Sequence, residues 1–331
     1  MPKDYEALPT RKRAPSFQQE WKVLAVLAIF ILLLEILSRY LAPILDTDRT
    51  HIYNFDNIIA EVESADDNRP KIIFAGNSLM RNGLNLDTVQ EQAGDQFNTA
   101  KITPVGTAIT DWTYLYKRYF ENKNAQPNVI ILGFVNSHIS DDYVLKLRRL
   151  GRHFVDQQDL PDIWANDLTN FHDRAQLTLS HYSALIGDQP EHQLHALSFV
   201  IPHYKQGLRE NQAYVATLGQ YRSELKLARD KKYGNDKKEA KEATFHRLEQ
   251  YIALLKKNGV EVWFMPMPQP EFYEVDQKAI DLIKGNGMKF VDARNIEGMT
   301  PEDFSDGYHL GDSGNEKFTA WMIKQLDERV R

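Results

Sequence analysis

Four short apolar runs and one long one stand out from an otherwise mixed chain. The long run, Val23 to Leu45 (VLAVLAIFILLLEILSRYLAPIL), is apolar almost throughout. At a helical rise of about 1.5 Å per residue it is long enough to cross a hydrocarbon core of roughly 30 Å. The short runs are Lys71 to Ala75 (KIIFA), Asn128 to Phe134 (NVIILGF), Val260 to Met265 (VEVWFM) and Met288 to Val291. Each has the length and β-branched content of a strand buried on both faces. A helical pattern from about Thr110 to Asn122 separates the first two. Strands alternating with helices predict a parallel sheet with crossovers, a three-layer α/β domain. From about 143 to 257 the pattern changes to long, charged, helix-favouring sequence without a strand, which predicts a helical insertion. Within it the run ARDKKYGNDKKEAKEA (228–243) is expected to be a solvated helix end or loop.

The long run predicts a single N-terminal membrane anchor over 23–45, with a tail at 1–22 and the bulk of the chain at 46–331. Arg11, Lys12, Arg13 and Lys22 precede it, and Asp46 and Asp48 follow. By the positive-inside tendency the tail is cytoplasmic and the large domain extracytoplasmic, at a bacterial inner membrane. The competing reading is a cleaved signal peptide with Val23 to Leu34 as its apolar region, but no clean small-x-small cleavage site follows. Glu35 and Arg39 interrupt the run four residues apart, on one helix face, positioned to pair with each other or to contact a second membrane protein.

Composition removes several classes. The formal net charge is -6 with no basic face, which argues against a nucleic-acid partner. There is no cysteine, so the fold stands without disulfides or thiolate metal sites. The histidines, His138 and His153 among them, show no His-Glu-x-x-His spacing, and neither a metal nor another cofactor is expected.

Chemistry is expected where parallel strands end, because loops there are free to vary and helix N-termini point their amides outward. Ser78 follows the first strand directly, after Gly76 and Asn77. Near the C-terminus, Asp306-Gly307-Tyr308-His309 precedes Leu310-Gly311-Asp312-Ser313-Gly314 and a last helix. An Asp three residues before a His, held in a turn, can fix the imidazole tautomer whose other nitrogen takes a proton from a serine. Trp112, Trp263 and the segment 265–270 (MPMPQP) also fall beside strand ends, as core packing or as walls of an acceptor groove.

FAGNS at 74–78, a glycine in the next loop, an Asn after the following strand and DGYHLGDSGNEKF at 306–318 together resemble the SGNH (GDSL-like) hydrolase superfamily. The resemblance covers roughly 71–140 and 260–331 and implies a three-layer SGNH-like, flavodoxin-like fold. It implies Ser78 as nucleophile, His309 as base and Asp306 as its orienter, with the Ser78 and Gly106 amides and the Asn136 side chain as oxyanion donors. Two departures stand out. Asn77 occupies a position that is often Asp, and the third block, Gly133-Phe134-Val135-Asn136, carries one residue more than the usual Gly-x-Asn-Asp.

One membrane helix followed by such a domain also resembles accessory enzymes of alginate and teichoic-acid modification. That implies O-acylation, most simply O-acetylation, of an extracytoplasmic glycan with a membrane-bound O-acyltransferase as partner. A membrane-tethered esterase or deacetylase using the same triad, and a non-catalytic assembly subunit, are the alternatives.

Overall fold

The computed structural model describes residues 17–45, 47–65, 68–121, 125–204, 207 and 243–330. The charged run at 228–243 lies, apart from Ala243, outside the described residues, as does the basic segment around residues 11–13. Helix α1 (Phe17–Leu45) contains a stretch, Glu20–Ala42, long and apolar enough to cross a membrane, and that stretch is almost wholly uncovered by the rest of the chain. Helices α2 (Thr47–Tyr53) and α3 (Phe55–Ser64) follow and lead into the sheet.

Five strands form one parallel sheet: β1 (Lys71–Ala75), β2 (Asn98–Ile102), β3 (Val129–Phe134), β4 (Glu261–Pro266) and β5 (Lys289–Phe290). Their order is β2-β1-β3-β4-β5, the doubly wound flavodoxin-like arrangement. Three of the four apolar runs become fully or nearly fully buried strands, and the fourth becomes the short edge strand β5. β2 had no counterpart in the hydrophobic pattern. Its sequence, NTAKI, is polar because it lies at the opposite edge of the sheet, where only alternate positions are covered.

Alternation along the strands divides the core in two. Ile73, Ile130, Leu132, Val262 and Phe264 face α3, α6 (Ile109–Tyr119), α12 (His246–Lys257) and α13 (Gln277–Gly285). Ile72, Phe74, Ile131, Trp263 and Met265 face α4 (Ser78–Gly83), α5 (Leu86–Ala93) and α14 (Asp312–Val330). Trp112 and Trp263 are both buried in the core. Between β3 and α12 the described part of the chain is helical: α7 (Leu147–Arg149), continued by a π-helical turn at Leu150–Phe154, then α8 (Leu160–Asn166), α9 (Phe171–Tyr182), α10 (Ala184–Gly187) and α11 (Gln189–Val200). Leu150, Phe154, Leu160, Ile163 and Leu177 join this stretch to the α6 side of the core.

The strand order reverses between β1 and β3, and their carboxyl ends lie side by side. Gly76 leaves β1 there with φ of +149°, and a Cβ on it would stand 2.8 Å from the carbonyl oxygen of Gly133. Only a residue without a side chain fits. At Gly133 itself an added Cβ meets only the flexible ends of Met80 and Met267, at 2.9 Å each. Gly76→Ala is therefore expected to lower the unfolding free energy by on the order of 1–3 kcal/mol from backbone strain alone. Gly133→Ala is expected to cost less, since methionine ends can move aside. Thermal and denaturant unfolding of the two variants beside the parent tests this order.

Candidate active site

The turn from β1 into α4 is held by Asn77, whose side chain works in two directions. Its Oδ1 caps α4 by accepting from Leu79 N–H at 3.0 Å. Its Nδ2 donates to Thr107 O at 3.1 Å and to His138 Nδ1 at 3.0 Å. An aspartate at 77 can supply the first bond but cannot donate the other two. The Gly76 carbonyl accepts from Trp112 Nε1 (3.2 Å) and from Thr107 Oγ1 (3.1 Å), tying the turn to α6 and to the loop before it. Ser78 is thus delivered, half-buried, at the first position of α4.

His138 is buried and also accepts from Val135 N–H at 3.2 Å, again at Nδ1. Two donors on one nitrogen leave the ring proton on Nε2 and the imidazole neutral. Burial pushes its pKa down to about 4. His153, too, is satisfied and buried, against Asp188 at 3.0 Å.

The opposite wall of the site comes from the segment before α14. Phe304 and Leu310 pair antiparallel across a turn that closes with Ser305 N–H donating to His309 O at 3.0 Å. Gly307, at φ of +75°, takes the turn position that a side chain disfavours. Asp306 Oδ1 accepts from the amides of Tyr308 (3.0 Å) and His309 (2.7 Å), while its Oδ2 lies 2.7 Å from His309 Nδ1. His309 Nε2 lies 2.8 Å from Ser78 Oγ, across 231 residues of sequence. Partial burial raises the Asp306 pKa, but the His309 amide and ring and the Tyr308 amide outweigh it, holding the carboxyl below its ordinary value. The turn is braced from behind by buried Asp303. Its carbonyl accepts from Gly311 N–H at 2.8 Å, and its carboxylate accepts from Ser313 Oγ (2.8 Å) and Lys317 Nζ (2.7 Å).

The third wall is the loop after β2. Gly106 has φ of +60°, and Lys146 Nζ approaches it so closely that a Cβ would stand 2.4 Å away. Arg149, itself buried, donates to the carbonyls of Val105 and Gly106, the latter at 2.8 Å. A trans peptide sets its C=O and N–H on opposite sides. The Val105 carbonyl turned to Arg149 therefore sends the Gly106 N–H the other way. Asp48, in α2, accepts from Val105 N–H at 2.8 Å and from Arg81 of α4 at 2.6 Å, and its other oxygen is 3.6 Å from Arg149. His51, one turn on, accepts from Thr103 N–H at 3.1 Å. Asp48, His51 and Arg149 did not stand out in the sequence, because each acts on backbone atoms far away in the chain.

Asn136 opens a short 3-10 turn, Asn136–His138, after β3, and its Oδ1 accepts from Asp276 N–H at 3.1 Å. It lines a groove of about 550 Å³ shared with Ser137, Phe245, Gln269, Phe272 and Gly307. The structure therefore brings Ser78, His309 and Asp306 into one hydrogen-bonded line, puts Gly106 in a loop anchored from its far side, and puts Asn136 in the groove wall. Among the described residues no cluster of three or more His, Asp or Glu could hold a metal ion.

One consequence concerns stability. The native state holds His138 unprotonated down to about pH 4, whereas the unfolded chain protonates near its ordinary 6.5. The native state binds fewer protons in that window, so stability falls as pH drops through it, by on the order of 1–2 kcal/mol at pH 5 for this group. His51 is likewise held down to about 4, by burial and then by Arg81, and adds to the slope. Denaturant titrations between pH 7 and 5 are expected to show the fall, and His138→Gln a shallower one.

No family profile and no characterised protein sequence matches the chain. Among solved structures it is similar to a GDSL-like lipase from Bacteroides thetaiotaomicron VPI-5482, at 12% identity and a TM-score of 0.38, over 85% of this chain and 100% of that one. It is also similar to Axe2, an acetylxylan esterase from Geobacillus stearothermophilus, at 9% identity and a TM-score of 0.36, over 78% of this chain and 94% of that one.

Proposed function

We propose that this chain is a membrane-anchored serine enzyme that moves an acyl group, most simply acetyl, onto an extracytoplasmic glycan through an acyl-enzyme on Ser78. The observation that carries this reading is the line Asp306 Oδ2, His309 Nδ1, His309 Nε2, Ser78 Oγ, with gaps of 2.7 and 2.8 Å. A serine hydroxyl is a poor nucleophile until an adjacent base takes its proton. Here Asp306, held ionised, keeps the His309 proton on Nδ1, and Nε2 receives the Ser78 proton as Oγ adds to the donor's carbonyl. The resulting oxyanion is met by the Ser78 and Gly106 amides and by Asn136. As the tetrahedral intermediate collapses, the bond to the leaving oxygen breaks and His309 returns the proton to it. A sugar hydroxyl then gives its proton to His309, attacks the Ser78 ester, and leaves as the new ester while Oγ is reprotonated.

The groove beside the turn, with Phe245 and Phe272 among amide and hydroxyl side chains, suits a sugar acceptor, which presents apolar ring faces and hydroxyl edges. The apolar helix α1 supports tethering at a bilayer, and the basic residues that precede it in the sequence support a cytoplasmic N-terminus with the domain outside. There a membrane-bound O-acyltransferase would supply the acyl group at high effective concentration. Hydrolysis is the second reading, and the openness of the site favours it. The side chains of Asp306 and His309 are 55% and 23% exposed, so water reaches the line freely.

Intact-mass spectrometry after incubation with an activated acetyl ester is expected to show one acetyl adduct that maps to Ser78 and is absent in Ser78→Ala. Faster clearance with an oligosaccharide than with water supports transfer, and equal clearance supports the esterase reading. Asp306→Asn, which fixes the wrong tautomer, is expected to lower the acylation rate on the order of 10⁴-fold with little change in fold. Asp48→Asn loosens the loop carrying Gly106 without touching substrate. It is expected to lower kcat by roughly up to 10²-fold while KM stays close to the parent value, as steady-state ester turnover would read.

A further inference from the structure

The reaction uses nothing from α9, α10 and α11, yet these helices hold Glu35, Ser38 and Arg39, polar residues within the apolar anchor. Glu35 and Arg39, expected to pair or to contact another membrane protein, do pair, at 2.9 Å, and both also bond elsewhere within this chain. Glu35 accepts from the amides of Ala184 (2.8 Å) and Leu185 (3.0 Å) and from Ser183 Oγ (2.8 Å), capping α10. Arg39 donates to Tyr182 O at 3.0 Å, and Ser38 Oγ lies 2.5 Å from His192 Nε2 of α11. The membrane-length stretch of α1 runs to Ala42, which is buried together with Ser38. At about 1.5 Å per residue Glu35 sits roughly 10 Å inside that end. The segments that cap it reach the same depth.

The helices packed on the outer part of α1 also present apolar side chains outward: Leu179 and Tyr182 on α9, and Phe199, Val200 and Ile201 at the end of α11, with Phe199 94% exposed. Around them α1 exposes Leu33, Ile36, Leu37 and Tyr40. Lipid is what covers an exposed apolar anchor, and elements packed against its outer part at one depth meet the same medium. Glu35 at this contact is turned inward and satisfied within the chain, as burial in hydrocarbon requires, while Arg39 is half-exposed near the outer end of α1, where a long cationic side chain can reach toward the headgroups.

We propose that α9–α11 form a membrane-seated foot beside α1, with Phe199, Val200 and Ile201 inserted among the acyl chains of the outer leaflet. This rests on reading α1 as a membrane anchor. Two contacts at separate points would fix the rotation of the domain about the anchor, and with it the direction in which the groove opens.

The absence of cysteine makes the test direct. Single variants Ile29→Cys, Glu91→Cys, Phe199→Cys and Val200→Cys of the full chain, nitroxide-labelled, are reconstituted in phosphatidylcholine and phosphatidylglycerol vesicles. Collision rates are then measured with oxygen, which prefers lipid, and with a nickel chelate, which prefers water. The expected result is oxygen-dominated labels at 29, 199 and 200 and a nickel-dominated label at 91. Nickel-dominated labels at 199 and 200 with 29 in lipid would overturn the foot while leaving the anchor intact, and the apolar end would then belong to a protein partner. A nickel-dominated label at 29 would overturn the anchor reading and the foot with it.

Discussion

The close approach of the ends of β1 and β3 is the constraint from which the rest of the site follows. Two parallel strands that leave a sheet in opposite lateral directions open a crevice between their carboxyl ends, and here its floor is a glycine packed against a carbonyl. With no side chain at 76, the peptide after it can turn sharply enough for Asn77 to cap α4 and still reach the loops after β2 and β3. Ser78 inherits its position from those bonds. Its partners arrive from a segment more than two hundred residues later, on a turn braced by Asp303 and Lys317.

Electrostatics near the site divide by depth. In the interior, groups are kept neutral or are matched closely: His138 loses its proton to burial, and buried Asp111 is raised by burial with Arg149 opposing. At the rim, Asp306 stays ionised because amides and the His309 ring converge on it where water also reaches. The contact between Asp306 and His309 thus sits at the boundary between a medium that resists charge and one that accepts it.

What the sequence made legible is what acts locally. KIIFA, NVIILGF and VEVWFM read as buried strands because burial on both faces demands uninterrupted apolar residues, and each is one. NTAKI escaped because an edge strand needs far less. Ser78, Asp306 and His309 stand in short sequence blocks and the fold joins them in one hydrogen-bonded line, whereas the bonds made by Asp48, His51 and Arg149 have no such local signature. A carboxylate or guanidinium that holds a backbone carbonyl or amide leaves no mark on the residue it holds, so the pair appears only when the chain is folded. The same applies to Glu35, whose partners at 183–185 lie some 150 residues away.

The link from α2 to the loop after β2 has a mechanical meaning. α2 begins two residues after α1 ends, and through Asp48 and His51 it grips the segment containing Gly106. The short helix that follows α1 is thus also the clasp of the loop after β2, so a load on α1 would reach that loop through two hydrogen bonds.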